Sequence, residues 1–302
     1  MADTMTHQST PSVVQTSSPG WKVPTRRISF AERVQDLPKH FAQDGNLISC
    51  HLAAAFSTIL PDGEEFFVAS VRHFRDQITD PDLKRQVAGF IGQETVHGRE
   101  HRELNDKLAS LGYPAKKFEW VMRHGMRLQT RFRSPMARLA HTAAVEHFTA
   151  TLAELVMSDT EARTMFGEEI GDVLLWHCLE ESEHKAVSLD VYRAVGGTEK
   201  QRLRSSKDVR WSTVILMSVF VGLSLLGDNA TYNPRRLRRD WRRFKASPLA
   251  QKDFKDQVMA YDRPGFHPND RDTTALVETW RTELFGEQGS MNPLLAGATR
   301  NA

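Results

Sequence analysis

The feature that most constrains this chain is a four-residue pattern that occurs twice, Glu94-Thr-Val-His97 and Glu181-Ser-Glu-His184. Residues three apart on a helix share a face, so each copy can aim a carboxylate and an imidazole at one ion. One copy arises readily by chance. Two copies on separate long helices require a helical framework that brings both faces together. His101 lies four residues after His97, and His177 lies four before Glu181. At roughly 100° per residue, Glu94, His97 and His101 keep to one stripe, and His177, Glu181 and His184 to another.

The surrounding sequence reads as helical throughout. Asn46 to Ile59 is a short apolar helix that Pro61 is expected to end, and a second segment with helical spacing of Phe67, Val71 and Phe74 continues to about Ile78. The next helix runs from about Asp82 to Leu111, with Gly112 after it as a C-terminal cap. A less regular basic stretch from Lys116 to Arg133 leads to Pro135, a first-turn residue, and a helix reaching about Met157. A further long helix is expected from Glu168 to Val195, ending at Gly196-Gly197. No segment here alternates as a strand does. The expected class is all-α, an antiparallel four-helix bundle with additional C-terminal helices.

Between the two ExxH helices and before the first lie further acids. Glu146, in VEHFTA, sits on an otherwise apolar stretch where an unpaired charge is costly, and Glu64 or Glu65 opens the first bundle helix. The chain order is then Glu, ExxH, Glu, ExxH. Carboxylate and imidazole donors suit iron or manganese and also hold zinc, and the absence of thiolates argues against a structural zinc cluster. A single Glu or His on a helix is usually a solvated or hydrogen-bonded residue; the ordered set is what favours ligation. Glu180 and Glu183 fall off the stripe and are read as outer or surface groups, Glu100 and Glu103 as solvated, and His147 as a core or outer residue. His51, His73 and His141 follow no pattern.

Composition adds exclusions. Forty per cent apolar and 26% charged residues are ordinary for a folded protein, and 302 residues bury a sizeable core. The two cysteines, Cys50 and Cys178, match neither a disulfide framework nor a CxxC site, which makes a reducing, cytoplasmic setting the expectation. The first residues lack the apolar run of a cleavable signal, and residues 1–25 are read as a disordered tail. Residues 26–200 are expected to form the metal-binding bundle, 201–246 an apolar helix and basic segment, and 247–302 a polar extension with one helix from about Asp272 to Phe285 and a loose end. Within it, Trp211 to Gly227 is uncharged and slightly short of the ~20 residues that span a bilayer. It is expected either to pack on the bundle as a fifth helix or to lie in or on a membrane, with Arg235 to Arg243 drawn to anionic head groups. No motif supports nucleic-acid binding, a nucleotide cofactor or a serine or cysteine nucleophile.

The segments PDGEEFF, GQETVHGREHRELN, VEHFTA and HCLEESEHKAVSLDVY resemble a bacterial family described as predicted metal-dependent hydrolases, over roughly Arg26 to Trp241. In that family the first acid directly follows the Pro-x-Gly turn, which implies Glu64 rather than Glu65. The ligand order is also similar to that of ferritin-like diiron oxygenases, and the stripe of His177, Glu181 and His184 resembles the arylamine N-oxygenases. The resemblance implies Glu64, Glu94, His97, Glu146, His177, Glu181 and His184 as metal ligands. His101 departs from that pattern and is expected as an eighth ligand or an outer partner. The expected activity is that of a two-metal enzyme, favouring iron over manganese or zinc. As a diiron oxidase or oxygenase it would act on an apolar or lipid-like substrate and need an external electron donor. The alternative is a hydrolase using a metal-bound hydroxide; metal storage is a third reading. The expected location is the cytoplasm, with association to an inner membrane.

Overall fold

The computed structural model describes residues 22–297, so most of the expected N-terminal tail lies outside the described residues. The protein is all-α: no β-strand occurs among the described residues, and one isolated bridge pairs Ile28 with Leu295. The principal helices are α1 (Leu47–Arg72), α2 (Pro81–Ser110), α3 (Ala115–Phe132), α4 (Pro135–Ser158), α5 (Thr160–Thr164), α6 (Gly171–His184), α7 (Val187–Ala194), α8 (Glu199–Leu226), α9 (Pro234–Ala246), α10 (Lys252–Met259) and α11 (Thr274–Phe285).

Four of them form the frame of the site. Helix α1 packs on α2 and α4, and α6 packs on α2 and α4. Helix α4 can approach its neighbours closely where its buried positions are alanine: Ala140, Ala143, Ala144, Ala150 and Ala153. Larger side chains fill the ends of the frame. Phe66, Phe67, Phe90 and Tyr192 gather in one cluster, and Phe41, Trp176 and Leu179 in another. Each such side chain contributes on the order of 1.5–3 kcal/mol through burial.

Pro61 does not end α1. The helix continues through it for eleven further residues to Arg72. Proline cannot donate to the carbonyl four residues earlier, that of Ser57. The Asn105 side chain on α2 replaces the missing donor, its Nδ2 lying 3.2 Å from that carbonyl oxygen. Helix α2 reaches this close partly through Gly98, where a Cβ would stand 3.3 Å from Glu64 Oε2. Thus a residue that reads locally as a breaker is absorbed by a tertiary hydrogen bond.

Other expectations change as well. The stretch from Lys116 to Arg133 is a regular helix, α3, whose Phe118 and Met122 are buried while its basic residues face outward. The helix expected from Glu168 to Val195 starts at Gly171 and is interrupted after His184, giving α6 and α7. The end expected to be loose returns to the core as far as residue 297: Met291 is buried, and Ala296 N donates to Arg27 O at 2.7 Å.

Residues 22–30 form an extended strap over α2. The strap depends on Gly89 and Gly92, where an added Cβ would fall 2.1 Å from Val23 O and 1.9 Å from Thr25 Oγ1. Helix α8 is anchored at its first half, where Arg202, Ser205, Ser206 and Val209 are buried, and it packs on α1 and α4. Its second half is not the buried fifth helix that was one expectation. Trp211, Val214, Ile215, Val219, Leu223 and Leu226 are exposed, while Phe220 and Ser224 are buried.

Candidate metal centre

All eight residues singled out from the sequence converge inside the four-helix frame. Glu64 comes from α1; Glu94, His97 and His101 from α2; Glu146 from α4; His177, Glu181 and His184 from α6. Every one is buried, whereas Glu65 is exposed and pairs with Arg102 on the outside. The structure therefore separates the two candidates on α1.

The donor atoms form two overlapping poles. At one, His184 Nε2 lies 3.0 Å from Glu94 Oε1 and 3.3 Å from Glu146 Oε2. At the other, His177 Nε2 lies 3.1 Å from Glu181 Oε1, with Glu64 and His97 adjacent. Glu94 and Glu181 face both poles: Glu181 Oε1 is 3.7 Å from His97 Nδ1 and 3.7 Å from His184 Nε2. Four overlapping triads of these residues could each hold an ion, with donor atoms within 4.8 Å of one another.

The hydrogen bonds around the cluster show that its inward atoms are left over. Both oxygens of Glu64 and of Glu94, together with Oε2 of Glu146 and Glu181, Nδ1 of His97 and Nε2 of His184, are buried without a hydrogen-bond partner. Orphaned polar atoms of this kind are rare and costly in native interiors. The eight on these six residues belong to one cluster of oxygen and nitrogen donors, which is what a bound cation would satisfy. The residues present fit a metal site.

Outer partners fix which ring nitrogen faces inward. His97 Nε2 bonds Glu180 Oε2 at 3.0 Å, leaving Nδ1 for the cluster. His184 Nδ1 bonds Gln93 Oε1 at 2.8 Å. The Gln93 amide cannot be reversed, because its Nε2 donates to Glu183 Oε2 and to Pro24 O. His184 Nδ1 is therefore the donor, and Nε2 faces Glu94 and Glu146. Metal-binding histidines are commonly oriented in this way.

His101 belongs to a third such chain. Asn105 Nδ2 donates to Ser57 O and to Glu119 Oε1, so its Oδ1 accepts the Ser57 hydroxyl at 2.8 Å. Ser57 Oγ then accepts from His101 Nδ1 at 2.9 Å, and His101 Nε2 accepts from His177 Nδ1 at 2.9 Å. In this arrangement His101 holds the His177 ring so that Nε2 faces the cluster.

Electrostatics follow from burial and crowding. Burial, then neighbouring carboxylates, push Glu64 and Glu94 well above the usual carboxylate range. Burial also lifts Glu146, to about 7, although the adjacent His184 opposes the rise. Glu181 is held well below its usual range although burial opposes this, because the His177 and His184 rings lie against it. Burial keeps His97 and His101 neutral, with His177 beside them adding to the effect. Neutral imidazoles are the form that ligates.

The cations that hold the outer acids were not read from the sequence. Arg26, on the strap, donates to Glu180 at 3.0 Å and to Glu183 at 2.7 and 2.8 Å, all three being buried. Arg281 on α11 adds a 2.9 Å bond to Glu183. Of the two readings given for Glu180 and Glu183, the structure supports the outer one: both are buried behind the cluster and neither lies at the surface. Glu100, expected to be solvated, is buried and accepts the Phe30 backbone N–H at 2.8 Å, while Glu103 is half-buried. The signal available was the spacing of Glu180 and Glu183 beside Glu181 and His184; their cation lies more than 150 positions away.

A cavity of about 630 Å³ leads to the cluster from one side. Its lining is apolar apart from Ser57, His101, Arg210, Thr213 and Lys255. No curated protein and no solved structure matches the chain. A family model does, over residues 24–272, and it covers most of the strap, the four helices that carry the cluster, and helix α8: the chain belongs to the family described as predicted metal-dependent hydrolases.

Proposed function

We propose that the protein is a two-metal enzyme, with iron as the resident metal, that oxidises an apolar, lipid-like substrate with dioxygen. The observation that carries this reading is the cavity, whose apolar lining ends at His101 and Ser57 beside the carboxylate–histidine cluster. On binding metal, Glu64, Glu94 and Glu146 would give up their protons and, with Glu181, carry the charge that two divalent cations balance. When bound, such ions would supply Lewis-acid or redox chemistry. The chain's own contribution is to fix donor orientation through Gln93, Glu180 and His101, to exclude water with apolar walls, and to admit the substrate. A chain of C–H bonds is what those walls accommodate. The electrons would come from an external donor.

The test is dioxygen uptake by anaerobically reduced, iron-loaded protein. Uptake stimulated by a medium-chain fatty-acyl compound is expected; no uptake with or without such compounds contradicts oxidation. Hydrolysis of an ester, amide or phosphate by metal-activated water is the second reading, which the family's description favours. Hydrolysis sustained by zinc- or manganese-loaded protein under strict anaerobiosis would establish it.

The same reading includes a membrane surface. The exposed apolar half of α8 adjoins α3, with Phe118 and Phe220 stacked at 3.9 Å, and α3 exposes Trp120, Leu128 and Phe132. Arg235, Arg238 and Arg242 project from α9, and Trp241 beside them is half exposed. Apolar area flanked by aromatic and basic residues suits an interface with anionic lipid. Because the first half of α8 is fixed to the bundle, the helix would lie along the bilayer instead of crossing it. The protein should float with vesicles containing phosphatidylglycerol, and an Ile215→Glu, Val219→Glu, Leu223→Glu variant should stay at the bottom of the gradient. Failure of the unmodified protein to float would remove the membrane from the account.

A further inference from the structure

The cavity is chemically asymmetric. Its inner end is closed by Ser57 and His101, both buried and both committed to the hydrogen-bond chain that holds His177. Its walls carry Leu52, Phe56, Ile170, Val173 and Leu174. The charged lining residues are Arg210 on α8 and Lys255 on α10, and both carry positive charge. Lys255 is exposed, as are its lining neighbours Val214 and Met259, so this end opens to the outside.

Arg210 is held in place by Ser206 Oγ at 2.8 Å and by Asp262 at 2.8 Å, with a fifth of its side chain accessible. Lys255 has no ion-pair partner among the described residues, although Asp262 supplies one carboxylate to the pair of cations. The rim is therefore cationic on balance, and the remaining lining residues offer no charged partner to an ionised group. Moving a carboxylate inward would cost its hydration without compensation.

We propose that the cavity binds a single-chain anionic amphiphile tail first, with its acidic head held at Arg210 and Lys255 and its apolar end toward His101. This deepens the reading of an apolar substrate and rests on it. The volume lies within the ~300–1,000 Å³ of small-molecule sites, and the orientation follows from the placement of charge. The reacting position is then on the chain, remote from the acidic head.

The test uses the full chain and a fluorescent polyene fatty acid as reporter, displaced by laurate, by dodecanol or by dodecylammonium. Laurate should displace the reporter about tenfold more effectively than dodecanol, the equivalent of about 1.4 kcal/mol, and dodecylammonium should be weakest. An Arg210→Gln, Lys255→Gln double variant should lose the preference for laurate while keeping dodecanol binding. Lys255→Gln alone, at an exposed position, should lose part of it and guards against misfolding of the Arg210 variant. Val173→Trp, which fills the interior, should abolish displacement by all three.

Equal displacement by laurate and dodecanol, or a preference that survives in the double variant, would overturn the assigned orientation. Binding that survives Val173→Trp would overturn the cavity as the site. Metal content of the same samples separates the two ideas. Stoichiometric metal without amphiphile binding sinks this inference alone; amphiphile binding without stoichiometric metal sinks the two-metal reading.

Discussion

Glu94→Gln protein should lose metal without losing its fold. Glu94 faces both poles of the cluster, 3.0 Å from His184 and 3.8 Å from His97, and both its oxygens are buried without a hydrogen-bond partner. Removing the carboxylate should lower metal content well below that of the unmodified protein. Turnover should fall by more than the ~10–100-fold that loss of an outer partner costs a metal site. Stability should move the other way. In the metal-free state burial and the adjacent Glu146 charge disfavour the Glu94 carboxylate, so the amide relieves crowding. Thermal unfolding of metal-free samples should therefore show the variant at least as stable as the parent. A structural acid would behave oppositely: its loss would destabilise the metal-free protein and leave bound metal unchanged.

The second large effect is expected at Arg26, far from the cluster in sequence. Its guanidinium is buried with Glu180 and Glu183, and it is the cation nearest the carboxylate that orients His97. Replacing it with methionine keeps much of the volume and removes the charge. Breaking a buried ion pair from one side costs about 3–5 kcal/mol, because the remaining charge stays desolvated. Arg281 still bonds Glu183 at 2.9 Å, so the penalty should fall mainly on Glu180, which burial already pushes up to about 8 and which escapes part of the cost by taking up a proton. Chemical denaturation should register the stability loss. Metal titration should show affinity reduced by about 10–100-fold as His97 loses its fixed partner. An Arg26→Met protein with unchanged stability and metal affinity would show that the strap is peripheral to the site.

These two residues also mark what was legible in the sequence. Glu94 belongs to a periodic pattern, and helix periodicity is local: Glu94, His97 and His101, or His177, Glu181 and His184, share a face whatever the rest of the chain does. The all-α class was readable for the same reason, from apolar spacing and the turn residues at Gly112 and Gly196. Where a local signal met a tertiary one, the tertiary one decided. Pro61 reads as a helix end, but Asn105 supplies the hydrogen bond that lets α1 continue. Glu100, Glu180 and Glu183 carry the charge of surface residues, yet each is buried because a partner distant in sequence covers it. Arg26 has no local pattern; its role exists only once the strap lies across α2. The orientation of α8 was equally hidden, since an apolar run reads alike whether its face meets protein or lipid.

The most direct test of the two-metal centre is metal content per chain in protein purified without added metal, measured beside the Mössbauer spectrum of iron-loaded protein. Two irons per chain with a coupled diferric signal are expected, and Glu94→Gln should lack that signal. An absence of stoichiometric metal, even after reconstitution, would contradict the account, and Glu64, Glu94, Glu146 and Glu181 would then require another source of balancing charge.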